Sequence, residues 1–316
     1  TTDGNDLLTQ WYRDVLAMRS EIGETLLVYR QYGSYKEIQE FSLEPKNAIL
    51  LASRTQVAGA LQELRKTEAQ RTILVHDEVH RLGSPGNRNN LSGLSDSIRF
   101  RLGLSATPER EYDEEGNEFI EQHIGPVLIT FELKDAIERG ILSPFNYFAL
   151  EYEITEEDRG EIAKVFTKKA ARAKEGNPMT DAEVFTDIAR VYKTSRAKLP
   201  VFEKFIEKNQ HLLERCIIFT ETQKYAEEVL EIIHKHRPDF HTYFSGEDSA
   251  TLQRFARGEL ECLITCHRLS EGIDIQSLST VILFSSARAR LETIQRIGRC
   301  LRINPADPNK VANIID

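Results

Sequence analysis

The stretch Thr72 to His80 reads Thr-Ile-Leu-Val-His-Asp-Glu-Val-His, an apolar run that ends in two adjacent carboxylates. A short apolar run of this kind reads as a buried strand. In open parallel sheets, ligands bind outside the carboxyl ends of the strands, so Asp77 and Glu78 stand where a nucleotide would be met. Two neighbouring acids there have separable tasks. Asp77 is suited to hold Mg²⁺ through its water shell, and Glu78 to orient or deprotonate an attacking water. Alone, the pair would read as a charged strand end facing solvent; its position, His80 and the companions below reverse that.

Farther along, Leu104-Ser105-Ala106-Thr107-Pro108 again follows an apolar run directly. Small hydroxyl residues at a strand end can hydrogen-bond an acid pair and report its state, although Ser and Thr before Pro are also common turn formers. Near the end, Gln295-Arg296-Ile297-Gly298-Arg299-Cys300-Leu301-Arg302 lies on a segment of helical spacing. Arg288, Glu292, Gln295, Arg299 and Arg302 fall at steps of three or four and share one face, while Leu291, Ile294 and Leu301 line another. The apolar face would dock the helix and the guanidinium groups would point outward. An always-charged planar fork suits phosphate oxygens and the charge that develops on a transferring γ-phosphoryl. Gly298 costs such a helix about 1 kcal/mol and suggests close approach of another backbone.

These residues need a scaffold that brings strand ends together. Strand-like runs at Glu24–Tyr29, Ala48–Ala52, Ile73–Val75 and Phe100–Leu104 alternate with helical stretches at Asp6–Ser20 and Gln56–Lys66. The pattern repeats with strands at Cys216–Phe219, His241–Phe244, Cys262–Thr265, Val281–Phe284 and Val311–Ile315, and helices at Thr222–His236, Ser249–Arg257 and Arg288–Leu301. Alternation of this kind predicts α/β architecture, two lobes each built on a parallel sheet with helices on both faces. The charged stretch 151–209 shows helical patterns at Glu156–Lys174, Asp181–Tyr192 and Lys198–Lys208. We divide the chain into lobe 1 at residues 1–146, a linker and helical segment at 147–209, and lobe 2 at 210–316. The Gly-rich and polar residues from Gly83 to Gly93 predict a mobile loop, where ligand-facing loops tend to be.

The 316 residues, 40% hydrophobic and 29% charged, have the balance of an ordinary globular protein with enough chain for two domains. A formal charge of -9 means that any nucleic-acid contact must be local rather than carried by overall charge. No run approaches the roughly 18 apolar residues of a membrane span, and the first residues lack the basic and apolar regions of a signal peptide, so a cytoplasmic protein is expected. Cys216, Cys262, Cys266 and Cys300 sit in or beside apolar runs and read as buried thiols of a reducing compartment. Cys262 and Cys266 before His267 do not make a zinc site, because a strand alternates faces and no second ligand pair is evident.

Taken together, the Asp-Glu-Val-His box, the Ser-Ala-Thr box, Phe219-Thr220, Thr265 with Glu271-Gly272-Ile273-Asp274, and the Gln295–Arg302 box resemble motifs II to VI of superfamily 2 helicases, in order. Thr1-Thr2 through Leu7-Leu8 and Gln10-Trp11 is similar to motif Ia, and Ser53-Arg54-Thr55 to motif Ib. The run Gly103 to Arg110 and the segment Ala136 to Gly140 before Pro144 resemble the DNA-acting branches, those of the xeroderma pigmentosum B type and the motor subunits of restriction and phage-defence systems.

The resemblance implies two RecA-like lobes with ATP between them and Mg²⁺ organised by Asp77. It implies Glu78 as the water-activating base and His80 as a link to the other lobe. Gln295 would close the cleft, with Arg299 and Arg302 on the γ-phosphate. Gly272 and Asp274 would meet the nucleotide, Asp274 at its ribose, and Ser105 and Thr107 would couple hydrolysis to movement. Thr2, Arg54, Thr220 and Thr265 would touch the nucleic-acid backbone, which carries no sequence information. The partner would be DNA, duplex or single-stranded, alongside other subunits of a repair or defence complex. The family's phosphate loop would precede motif Ia, and no Gly-Lys pair occurs in the sequence, so lobe 1 is expected to be incomplete and the chain to be a piece of a longer protein. The alternative is a helicase-like DNA-binding scaffold without turnover, which would need none of Asp77, Glu78, Gln295, Arg299 and Arg302.

Overall fold

The computed structural model describes the chain apart from Glu24, Glu111, Tyr112, Ser245, Gly246, Asp248, 267–274, Gln276, 287–292, Ile294, Gln295 and Arg299, and the side chains of Asp6, Ile22 and Ser249. It divides into two units, Thr1–Thr130 and Phe131–Asp316.

In the first unit the order is α1 (Asn5–Ile22), β1 (Leu27–Gln31), α2 (Ile38–Leu43), β2 (Ala48–Ala52), α3 (Val57–Glu63), α4 (Lys66–Ala69), β3 (Ile73–His76), a 3-10 turn (Val79–Gly83), α5 (Pro85–Leu91), β4 (Phe100–Gly103) and α6 (Glu114–His123). β1 runs parallel to β2 with Leu27 opposite Ala48, and β3 runs parallel to β4 with Ile73 opposite Phe100. Thr1 and Thr2 lace the two pairs together. Thr2 bridges Ser53 just past β2, Asp77 just past β3 donates its N–H to the Thr1 carbonyl at 2.9 Å, and the Thr1 amino group donates to the Val75 carbonyl. The parallel sheet expected here is therefore present as two strand pairs joined through this short segment.

The stretch predicted as a mobile loop, Gly83 to Gly93, is instead the end of the 3-10 turn followed by α5. Pro85 suits the first helical position, where no N–H is needed. Leu82 and Leu91 anchor both ends in a core they share with Val57, Leu61, Leu74, Val79, Ile98 and Ile120.

The second unit contains α7 (Leu133–Glu138), β5 (Phe145–Phe148), α8 (Glu156–Lys174), α9 (Asp181–Lys193), α10 (Lys198–Lys208), a 3-10 turn (Gln210–Leu213), β6 (Cys216–Thr220), α11 (Gln223–His236), β7 (Phe240–Tyr243), α12 (Ser249–Ala256), β8 (Cys262–Cys266), β9 (Thr280–Leu283) and β10 (Ala312–Ile315). Its six strands form one parallel sheet in the order β5-β10-β9-β6-β8-β7. Side-chain alternation covers both faces. Cys216 and Ile218 join Phe202, Ile206, Val229 and Ile233 of α10 and α11, whereas Ile217 and Phe219 join Leu252 and Phe255 of α12 together with Leu301. Reciprocal caps open two helices: Thr155 with Asp158 starts α8, and Thr180 with Glu183 starts α9.

β5 has no counterpart in the sequence reading, and the division after Thr130 falls before the boundary drawn at 146. The reason is β5's ladder with β10, Phe145 opposite Ala312, together with the Ser143 N–H donated to the Leu301 carbonyl at 2.7 Å. An edge strand with two exposed residues gives little periodic signal. The four cysteines are free, with Cys216, Cys262 and Cys300 fully buried.

Candidate functional site

β3 delivers Asp77 and Glu78 at its carboxyl end, both partly exposed. Glu78 has a left-handed backbone, φ 49° and ψ 54°, which costs a non-glycine residue about 1 kcal/mol or more and persists only where surroundings enforce it. The enforcement is visible. Arg54 Nη2 donates to the Asp77 carbonyl at 2.5 Å and to the Glu78 carbonyl at 3.3 Å, Val79 N–H donates to the Leu104 carbonyl at 2.9 Å, and Arg81 N–H donates to the Glu78 carbonyl at 3.0 Å. This left-handed residue turns the chain from β3 into the 3-10 turn and sends His80 back under the acid pair.

Arg54 is 1% exposed and forms an ion pair with Asp3. Burial lowers its pKa, against the pull of Asp3. The side chain is thus a buried clamp on the backbone of the acid pair. The guanidinium is committed to Asp3 and to the backbone carbonyls of the acid pair. Thr2 is also buried, at 1% exposure, between the two strand pairs.

His80 is buried, and its pKa falls to about 4, first through burial and then through Arg81, Arg54 and Arg110. It is therefore neutral near pH 7. Ser105 Oγ lies 2.9 Å from the Thr107 carbonyl, to which it donates, and 3.1 Å from His80 Nδ1, an arrangement that suits a ring proton on Nδ1. Glu78 Oε2 lies 3.4 Å from the same nitrogen. Among the described residues Ser105 contacts the acid pair through His80, and the described partners of His80 lie in its own unit. Thr107 Oγ1 is buried with no hydrogen-bond partner among the described residues.

A second brace holds this corner from behind. Arg110 Nη1 donates to the His80 carbonyl at 2.8 Å and its Nε to Asp113 Oδ2 at 2.6 Å, while Asp113 Oδ1 caps α6 by accepting Gly116 N–H at 2.9 Å. The fit leaves no space: a Cβ on Gly83 would stand 2.6 Å from the Gly116 carbonyl oxygen, and one on Gly103 2.9 Å from Val79 Cγ2. Arg110 and Asp3 were missed as supporting residues. The only signal in the sequence was the place of Arg110 at the end of the Gly103–Arg110 run.

In the second unit, Thr220 and Thr265 end or nearly end β6 and β8, and both are 0% exposed. Thr265 Oγ1 donates to the Tyr243 carbonyl at 2.7 Å, and Thr220 Oγ1 lies 3.1 Å from Cys266 Sγ. Both hydroxyls bond inside the sheet. Arg296, on the arginine-rich segment, is buried, with its guanidinium 4.5 Å above the Phe219 ring and a 2.7 Å bond to Ser285 Oγ. Arg302 is partly buried; its backbone bridges Leu142, and its carbonyl accepts from Lys310 Nζ at 2.8 Å. No described atom lies within 4 Å of a Cβ built on Gly298, so the close backbone approach expected there is not found among the described residues. Gly272, Asp274, Gln295 and Arg299 lie outside the described residues.

The donor set at the end of β3 fits a hard divalent cation. Asp77 and Glu78 supply partly exposed carboxylate oxygens, and His80 Nδ1 lies between Ser105 Oγ and Glu78 Oε2. Among the described residues no group of three or more His, Cys, Asp or Glu is placed to hold a metal, which leaves water to fill most of such an ion's coordination shell. No helix among the described residues is long and apolar enough to cross a membrane.

Two family models match the chain: that of the type III restriction enzyme res subunit over residues 2–110, and the helicase conserved C-terminal domain over residues 197–304. The DNA 3'-5' translocase XPB2 of Sulfurisphaera tokodaii is 24% identical over 251 residues, covering 73% of this chain and 55% of that protein. The fold is similar to that of the DUF1998 helicase MrfA bound to DNA and AMPPNP, with a TM-score of 0.55 at 12% identity over 99% of this chain and 40% of that one. It is also similar to that of the ATP-dependent type ISP restriction-modification enzyme LlaBIII bound to DNA, with a TM-score of 0.54 at 16% identity over 92% of this chain and 22% of that one. The chain spans about half the length of the curated relatives it matches. With its acid pair at the end of a parallel strand, its RecA-like fold and these two matches in their order along the sequence, the chain belongs to the superfamily 2 helicases, related to those of the xeroderma pigmentosum B type and to restriction-enzyme subunits.

Proposed function

We propose that this chain is the motor core of an ATP-dependent DNA helicase or duplex-DNA translocase acting in DNA repair or in phage defence and restriction. The observation that carries the reading is the acid pair: Asp77 and Glu78 stand at a strand's carboxyl end in a strained backbone that Arg54 clamps from below. Strain maintained at that cost, beside two partly exposed carboxylates, is typical of a catalytic corner.

In this reading Asp77 would hold a hydrated Mg²⁺, and Glu78 would orient the attacking water and accept its proton. Mg²⁺, when bound, supplies charge neutralisation at the phosphate oxygens. Arg299 and Arg302 give their guanidinium groups to the γ-phosphate, Gln295 closes on the nucleotide, and Gly272 and Asp274 meet it, Asp274 at the ribose. Neutral His80, fixed by Ser105, passes a shift of Glu78 to the Ser105–Thr107 turn, which couples hydrolysis to movement. The support for DNA as the track is the likeness to a named DNA translocase.

The test is ATP hydrolysis by the intact native polypeptide with no nucleic acid, single-stranded DNA, duplex DNA and RNA in turn, beside Glu78→Gln. Turnover that rises with DNA and vanishes in the control is expected. No turnover under any condition would replace this reading by that of a DNA-binding scaffold. Strand-displacement beside triplex-displacement assays would then separate unwinding from translocation on duplex.

A further inference from the structure

Asp77 is held on both carboxylate oxygens, and one of the holders comes from far away in the chain. Oδ1 accepts the Glu78 N–H at 3.0 Å. Oδ2 accepts the indole N–H of Trp11 at 2.9 Å, across a separation of 66 residues. Trp11 lies on α1 and packs against the cluster of Leu8, Tyr32 and Leu51, so core packing aims the ring independently of the bond it makes. An indole nitrogen can only donate, and an ionised carboxylate offers about four acceptor directions. Two protein donors fix the plane of the Asp77 carboxylate and leave its remaining directions for other donors or for a cation's water shell.

We propose that Trp11 is a positioning residue for Asp77: its indole N–H locks the carboxylate in the orientation that receives a hydrated divalent cation. The proposal rests on the ATPase reading above. It also gives the site a built-in reporter, because Trp11 is the single tryptophan of the chain. Groups that orient a metal-holding side chain typically change metal affinity by about ten- to a hundredfold when removed.

Trp11→Phe keeps an aromatic ring and deletes the N–H. The Mg²⁺ concentration that half-saturates ATP turnover is expected to rise roughly tenfold, with most of the turnover recovered at saturating Mg²⁺. A second replacement, of Trp11 by benzothienylalanine, puts sulfur in place of the N–H within the same ring outline and should give the same shift if packing alone is not the cause. Independently of turnover, protein labelled with ¹⁵N-tryptophan should show one indole cross-peak that moves in Asp77→Ala and on addition of Mg²⁺ to the wild type. An indole peak indifferent to Asp77→Ala overturns the proposal. So does a Mg²⁺ curve that both Trp11 replacements leave unchanged while the wild type turns over and Glu78→Gln does not. A wild type without Mg²⁺-dependent turnover removes the ATPase reading itself, and the proposal with it, which distinguishes that failure from the other two.

Discussion

The end of β3 in the first unit and the ends of β6 and β8 in the second are alike in sequence: an apolar run that stops at a polar residue. The structure treats them in opposite ways. At β3 the carboxylates keep acceptor capacity in reserve, since Asp77 receives one donor on each oxygen and Glu78 retains 25% side-chain exposure. At β6 and β8, Thr220 and Thr265 are 0% exposed, with their hydroxyls turned onto Cys266 and Tyr243. Under the proposed function, a polar residue at a strand end serves a ligand when its bonding capacity exceeds what the fold consumes. A hydroxyl with one proton is easily used up, whereas a carboxylate with several lone pairs is not.

The sharpest test of this contrast is chemical. Glu78→Gln should lower ATP turnover by roughly 10²- to 10⁴-fold while leaving the denaturant midpoint in place, because it deletes the proposed base and keeps the shape. Turnover within a few-fold of wild type would end the distinction. The next effect falls on stability. Asp3→Ala leaves the buried Arg54 guanidinium without its carboxylate and should destabilise the protein by about 3 kcal/mol in urea titrations, since breaking one side of a buried pair strands a charge. An unchanged midpoint would show that the clamp beneath Glu78 is dispensable.

On the other side of the comparison, Thr265→Val leaves the Tyr243 carbonyl without its donor and should cost about 1–3 kcal/mol of stability with DNA affinity unaltered. The reverse outcome, weaker binding by an equally stable protein, would place Thr265 on the nucleic acid. The smallest effect concerns pH. The folded pKa of His80, about 4, lies below the unfolded value near 6.5, so the unfolded chain takes up a proton that the folded one refuses. The stability contributed by neutral His80 is complete above pH 6.5 and is lost as pH falls toward 4; His80→Gln should flatten that part of the stability profile, as measured by urea midpoints at several pH values.

The sequence was a good guide to elements and a poor one to partners. Ala48–Ala52 was located as a strand to the residue, and Glu156–Lys174 and Lys198–Lys208 as helices to the residue, because apolar periodicity and capping residues are local signals. The edge strand β5 escaped notice since its residues Asn146 and Tyr147 face solvent. The Gly83–Gly93 stretch looked like a loop by composition, yet two buried leucines made it a turn and a helix.

What the sequence by itself determined is the α/β alternation, the parallel strands and the delivery of Asp77 and Glu78 to a strand's carboxyl end, all of which follow from spacing along a short stretch. Only the tertiary structure decided which long polar side chains turn inward. Arg54 clamps Asp77 and Glu78 across 23 and 24 residues, and Trp11 reaches Asp77 across 66. Such choices depend on which distant groups share a buried corner and must satisfy one another there, and the order of residues along the chain does not encode that proximity locally.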